Sequence, residues 1–250
     1  MIKPLTSFRF FFALMVFLSH LSFLHSSKYR VVQNFFDFAF NEGHIGVSFF
    51  FILSGFILAY NYQDQILNGK KAKKKFYQAR IARILPLHIL TFLLAVPFTF
   101  NLFIDHKLLW ISQALTNVTL TQSYIPFEPI FYSFNAPSWS ISNEMFFYFA
   151  FPFLIILGFR FKRYRYFVLV VIITAIPLLT LVTPEQKFYW MFYINPFLRI
   201  FDFILGIFIY NLYRFILKKE ITIHYNFIEV SAIVVFVAFF VCHYWIAEVW

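Results

Sequence analysis

The chain has 250 residues, 61% of them hydrophobic and 24% aromatic, with only 13% charged and a formal net charge of +10. A water-soluble domain is about 45–50% apolar and about 25% charged, so this composition belongs to a protein that lives in a lipid bilayer. The single cysteine, Cys242, excludes an internal disulfide and a multi-cysteine metal site.

Seven apolar stretches come near the roughly 17–25 residues that a spanning helix needs. In chain order they cover residues 5–24, 44–60, 84–104, 139–159, 166–182, 196–213 and 227–250. The predicted fold is therefore all-α, a polytopic transmembrane helical bundle with about seven spanning helices in a single membrane-embedded domain, 1–250. The first stretch has no small-x-small cleavage pattern and reads as a span, not as a removable signal peptide. Lys3, the Lys70–Lys75 run with Arg80 and Arg83, the Arg160–Arg165 group, and Arg214, Lys218 and Lys219 all fall on one side of these spans. Lys28, Arg30, Lys107 and Lys187 fall on the other. The positive-inside rule then places the N-terminus in the cytoplasm. The same distribution excludes nucleic acid as a partner. Lysines beside spans attract anionic membrane lipid instead, at about 1 kcal/mol per residue.

A charge at the centre of a spanning helix costs about 2.5–3.5 kcal/mol on insertion scales, so ionisable groups kept there are functional candidates. The first span holds RFFFALMVFLSH, with Arg9 and His20 at its ends. Eleven helical residues turn about 20° past three full turns and rise about 16 Å, so both groups belong to one face. The second span contains GHIGVSFFFILSGF, where Gly43, Gly46, Ser54 and Gly55 are small enough for close helix approach. Before the third span comes YQARIARILPLH. Arg80 and Arg83 are i,i+3 neighbours suited to phosphate oxygens, and Pro86 predicts a kink or a helix boundary.

The fourth span begins in APSWSISNEMFFYF. Ser138 is the expected cap, Trp139 an interfacial anchor, and Ser140 and Glu144 share a face at i,i+4. Glu144 then lies about 9 Å below the outer helix end. His20 also belongs to the outer half, so the carboxylate and the imidazole can meet, which would fix the ring's tautomer and raise its basicity. Arg199 and Asp202, in FLRIFDFILG, sit at i,i+3 and read as a structural ion pair.

Arg9 with His20, GVSFFFILSGF, RIAR before a proline, WSISNE and RIFDFILG occur in this order along the chain. Together they resemble the acyltransferase-3 family of integral membrane O-acyltransferases. The resemblance implies transfer of an acyl group from cytoplasmic acyl-CoA, such as acetyl-CoA, to a hydroxyl of an envelope carbohydrate in the plasma membrane of a bacterium. It implies an essential pair in His20 and Arg9, a donor-side role for Arg80 and Arg83, and a functional motif around Glu144. No metal is implied. Ser48 stands where the family often has an acidic residue, and Asp202 where glutamate is more usual. The chain is shorter than typical members and stops in an apolar stretch at Trp250, which on this resemblance implies that C-terminal spans are missing.

In the mechanism this predicts, His20, oriented by Glu144, is the general base toward the acceptor hydroxyl. Ser54, Gly55, Trp139, Ser140, Arg199 and Asp202 support the site. Two other readings use the same polar stripe: a transporter or flippase of acyl groups or glycans, and an inactive partner subunit.

Overall fold

The computed structural model of the chain describes residues 3–21, 23, 27–39, 43, 45–160, 170, 171, 174, 175 and 178–219. The expected span 227–250, with Cys242, and much of the span 166–182 lie outside these residues. All regular elements among the described residues are helical. The chain divides into two compact units, one made of Met1–Gly46 with Asn211–Trp250 and one of Val47–Tyr210.

The first unit contains α1 (Lys3–Ser19) and α2 (Arg30–Ala39). α1 is apolar but only 17 residues long, so the first span is shorter than expected. The N–H of His20 bonds the Phe17 carbonyl at 3.1 Å, a tightened last turn that closes the helix. His20 therefore lies in the turn after α1, not within a span reaching residue 24. Gly43 and Gly46 lie against this helix. A Cβ at Gly43 would stand 2.4 Å from Ser19 Cβ, and one at Gly46 2.5 Å from Val16 Cγ2. α2 was not expected. It is a ten-residue amphipathic helix that buries Phe36 and exposes Arg30 and Asn34.

The second unit takes up α3 (Ile45–Asn68) from Val47 onward, followed by α4 (Lys70–Ala95), α5 (Phe100–Asp105), α6 (Lys107–Val118) and α7 (Glu128–Phe131). After these come α8 (Trp139–Arg160), α9 (Glu185–Tyr189), a π-helical turn at Trp190–Ile194, and α10 (Pro196–Lys218), which leaves the unit after Tyr210. Among the described residues four helical stretches are long and apolar enough to cross a membrane: Ile45–Asn68, Lys73–Asp105, Ala136–Gly158 and Glu185–Lys218. They coincide with four of the expected spans. The helix that carries the third expected span, α4, begins at Lys70, so Arg80 and Arg83 are helical and precede its apolar stretch. Pro86 neither kinks the chain to a stop nor bounds a helix, because α4 runs through it. Its missing N–H removes one hydrogen bond, and the turns on either side retain theirs.

Phenylalanines join the four long helices of this unit. Phe51 of α3 meets Phe147 of α8 edge-on at 5.0 Å, and Phe147 stacks on Phe203 of α10 at 5.2 Å. Phe76 of α4 packs on Phe151 of α8 at 5.2 Å. α3 and α10 approach more closely than any side chain would allow. A Cβ on Gly55 would stand 2.0 Å from the Phe203 carbonyl oxygen, and one on Gly206 1.9 Å from that of Ile52. Each helix thus seats a glycine on the other's backbone, the small-residue packing that membrane helices use where no hydrophobic driving force operates.

Outward-facing positions are apolar, as lipid requires. α4 exposes Leu87, Leu90 and Leu94 and buries Ile84, His88 and Phe92. α6 does the same in a stronger form, with Leu108 85% and Leu115 63% exposed while Gln113 and Asn117 are buried.

The glycine contact makes a test. Gly206→Ala forces α3 and α10 apart at an overpacking cost of about 1–3 kcal/mol, read as a lower thermal unfolding midpoint in detergent. Gly158→Ala, where nothing lies within 4 Å of the added methyl, leaves the midpoint unchanged or raises it. Equal midpoints for the two variants would contradict the close approach.

Candidate active site

The first unit carries two of the expected residues, Arg9 and His20. Arg9 is half-buried in the middle of α1, and His20 is exposed just past its end. His20 Nδ1 lies 2.6 Å from the Val16 carbonyl oxygen. A carbonyl can only accept, so Nδ1 carries a hydrogen, and in the neutral ring Nε2 is the nitrogen with the lone pair. The tautomer suited to a base is thus set by α1's own backbone.

The second unit builds a cluster around the other expected residues. Every fourth residue of α4 from Phe76 to Phe92 points inward, and this row includes Arg80 and His88. The Arg80 guanidinium lies over the rings of Tyr62, Tyr148 and Phe76, at 5.2, 5.7 and 6.0 Å, and its Nη2 donates to the Tyr62 hydroxyl at 3.1 Å. Its Nε is buried without a partner. Arg83 falls off this row and is exposed, so the two arginines do not form a matched fork on one face.

Facing them on α8, Glu144 Oε2 accepts from the Tyr148 hydroxyl at 3.0 Å, and Tyr148 also hydrogen-bonds Ser54 of α3. The charges of Arg83 and Arg80 both act on Glu144. The sequence reading separated these groups, with the arginines in an inner loop and the carboxylate in the outer half of a span. In the structure α4 and α8 bring them to one level, with Tyr77 of α4 donating to the Phe149 carbonyl of α8 at 3.1 Å.

A cavity of about 300 Å³ opens beside Arg80, walled by Tyr77, Leu120, Tyr124, Phe146, Tyr148 and Phe149. Leu120 reaches it from a left-handed backbone position, φ 55°, which closes α6 through the Thr121 N–H to Thr116 carbonyl bond at 2.8 Å. Burial pushes the Tyr124 phenol up to about 12, so it remains a neutral donor at physiological pH.

Arg199 and Asp202 form the expected ion pair, 3.0 Å apart. The guanidinium also donates to Ser48 Oγ on α3 at 2.7 Å and lies over the rings of Phe51 and Tyr193, at 5.2 and 5.6 Å. Ser48 supplies the contact that an acidic residue would make at that position. Trp139 is 5% exposed and packs against Phe51 and Tyr193, so it is a core residue and not an interfacial anchor. An indole at a helix start suits either setting, and here the inward face of α8 claims it. Ser138 spends its hydroxyl on Asn117 and Gln122, so the expected cap is replaced by a buried polar link. Ser140 Oγ turns back to the Pro137 carbonyl at 2.8 Å.

His88 was missed. It is 2% exposed, with Nε2 2.9 Å from the Asn117 carbonyl and Nδ1 buried without a partner. Its signal was in the sequence, an ionisable ring within the third expected span. Tyr62 and Tyr148 were also missed, because tyrosine is common in this aromatic chain and carries no spacing signal. Among the described residues no group of three or more His, Cys, Asp or Glu side chains could hold a metal ion.

A family model described as "Acyltransferase domain" matches residues 4–250. Among characterised proteins, the chain is 36% identical over 154 residues to "Acyltransferase MdmB" of Streptomyces mycarofaciens, covering 60% of this chain and 38% of that protein. It is 27% identical over 132 residues to "Protein 2 in picA locus" of Rhizobium radiobacter, covering 47% of this chain and 69% of that one. The match to the first relative thus spans well under half of that protein's length. No solved structure matches the chain.

The Arg199 pair yields a prediction. Arg199→Ala leaves the half-buried Asp202 carboxylate without its partner and removes the Ser48 contact, seen as a lower thermal unfolding midpoint in detergent. Ser48→Asp keeps an acceptor on the guanidinium and retains the fold. Normal stability of Arg199→Ala would show that the Arg199–Ser48 contact does not hold α3 to α10.

Proposed function

Because this chain belongs to the acyltransferase-3 family, we propose that it is a membrane O-acyltransferase carrying an acyl group, acetyl foremost, from cytoplasmic acyl-CoA to a hydroxyl of an envelope carbohydrate. The observation that carries this reading is the cluster of Arg80, Arg83, Tyr148 and Glu144 on two helices long and apolar enough to cross a membrane. Ionisable groups at such depth are retained for chemistry or transport, since leaving them there costs free energy. In this reading the chain is a seven-span bundle of a bacterial inner membrane, with its N-terminus in the cytoplasm.

The acceptor hydroxyl gives its proton to His20 Nε2 while its oxygen bonds to the thioester carbonyl carbon. The carbon–sulfur bond then breaks, and the CoA thiolate takes the proton back from the imidazolium. A general base in this position contributes about 10²–10⁴-fold. Arg83 and Arg80 meet the donor's phosphates, and Arg9 lines the route of its pantetheine arm. Arg80 is pre-oriented by its aromatic cage, so little side-chain entropy is lost when an anion arrives. Glu144 is the catalytic carboxylate of the second unit, held by Tyr148. Ser54, Gly55, Trp139, Ser140, Arg199 and Asp202 act by fixing the helices that carry these groups.

The test is an assay with acetyl-labelled acetyl-CoA in membranes containing the protein. The wild type labels a carbohydrate fraction. His20→Ala loses about 10²–10⁴-fold in turnover, and Arg83→Ala raises the KM for donor more than it lowers kcat. Equal labelling by all three proteins would sink the site assignment.

A further inference from the structure

We propose that a second cavity, between the α7 segment and the start of α9, binds a neutral sugar ring. Calling it the acceptor subsite rests on the acyl-transfer reading above; the binding itself does not. The cavity holds about 390 Å³, within the range of about 300–1,000 Å³ for small-molecule sites. Its walls include Glu128, Tyr132, Gln186, Lys187, Tyr189 and Trp190.

Three features select the ligand class. Tyr132 and Tyr189 join their hydroxyls in a hydrogen bond, and Trp190 is locked by its Nε1 donating to the Ser123 carbonyl at 3.0 Å. Rigid aromatic faces of this kind offer flat apolar area to the C–H faces of a sugar, with polar tips for its hydroxyls. The remaining walls supply a carboxylate, an amide and an ammonium, so donors and acceptors are both present for a ligand that is itself both. The two charges, Glu128 and Lys187, cancel. A phosphate would meet the carboxylate and a quaternary ammonium would meet the lysine, whereas a neutral polyol uses both.

The cavity is also tied to the Glu144 helix. Ser123, whose carbonyl holds Trp190, pairs its own hydroxyl with that of Ser142 at 2.7 Å, and Ser142 stands two residues before Glu144 on α8. A ligand seated against Trp190 is therefore linked to α8 through Ser123.

The experiment titrates the full chain in detergent micelles with methyl β-glucoside and N-acetylglucosamine, read by tryptophan fluorescence. Choline chloride and inorganic phosphate serve as comparison probes. A saturable response to a sugar is expected, weakened about tenfold or more in Glu128→Gln through the lost charged hydrogen bond. Lys187→Gln, on the opposite wall, gives a second reading should the first variant fail to fold. The proposal is overturned by the absence of a saturable sugar response, by equal sugar affinity in the folded variants, or by displacement of the sugar by phosphate or choline. No acyl donor is present in this titration, so its result is independent of the labelled acetyl-CoA assay above. A saturable sugar response together with no labelling in that assay would contradict the proposed reaction and leave this site standing, while labelling together with unaltered sugar binding in the variants would do the reverse.

Discussion

The close contact of α3 with α10 is the constraint on which the second unit depends. Gly55 and Gly206 let the two backbones touch, and every functional contact of α3 follows from that placement. Ser48 reaches Arg199, Phe51 fills the space between Trp139 and Phe147, and Ser54 reaches Tyr148. Van der Waals packing between small residues, not the hydrophobic effect, sets this geometry, because lipid tails are as apolar as the side chains they would replace.

With lipid outside, polarity runs inward. α6 shows this most plainly: its leucines face out while Gln113 and Asn117 enter a buried hydrogen-bond network with Ser133, Ser138, Gln122 and the Pro129 carbonyl. That network ties the segment between the third and fourth expected spans to α4 and to the start of α8. Asn117 serves as its centre, since it also anchors His88. Buried polar groups in such a setting stabilise only when satisfied, and Nδ1 of His88 and Nε of Arg80 are among the buried atoms that the protein's own groups leave unpaired.

Much of this was legible in the sequence, within limits set by physics. Apolar length alone located the four long helices, because the membrane imposes it. The Arg199–Asp202 pair was readable from i,i+3 spacing. The end of α1 was not, since apolar residues continue past Ser19 and nothing marks where the helix closes. α6 escaped notice because its buried face is polar, so a search for an apolar stripe finds its lipid side or nothing. That Arg80 packs inside the helix bundle was hidden for a related reason. Lysines and arginines were counted together as loop charge, whereas the aromatic rings of Tyr62, Phe76 and Tyr148 let Arg80 enter the helix bundle.

The central claim is that a donor on one side of the membrane acylates an acceptor through groups held within it. Sealed proteoliposomes containing the chain in one orientation test this most directly, with labelled acetyl-CoA outside and a carbohydrate acceptor enclosed. The account predicts a covalent acetyl ester on the enclosed carbohydrate, with intact CoA thiol released outside. Labelled acetate or acetyl-CoA accumulating inside with no ester formed would contradict it.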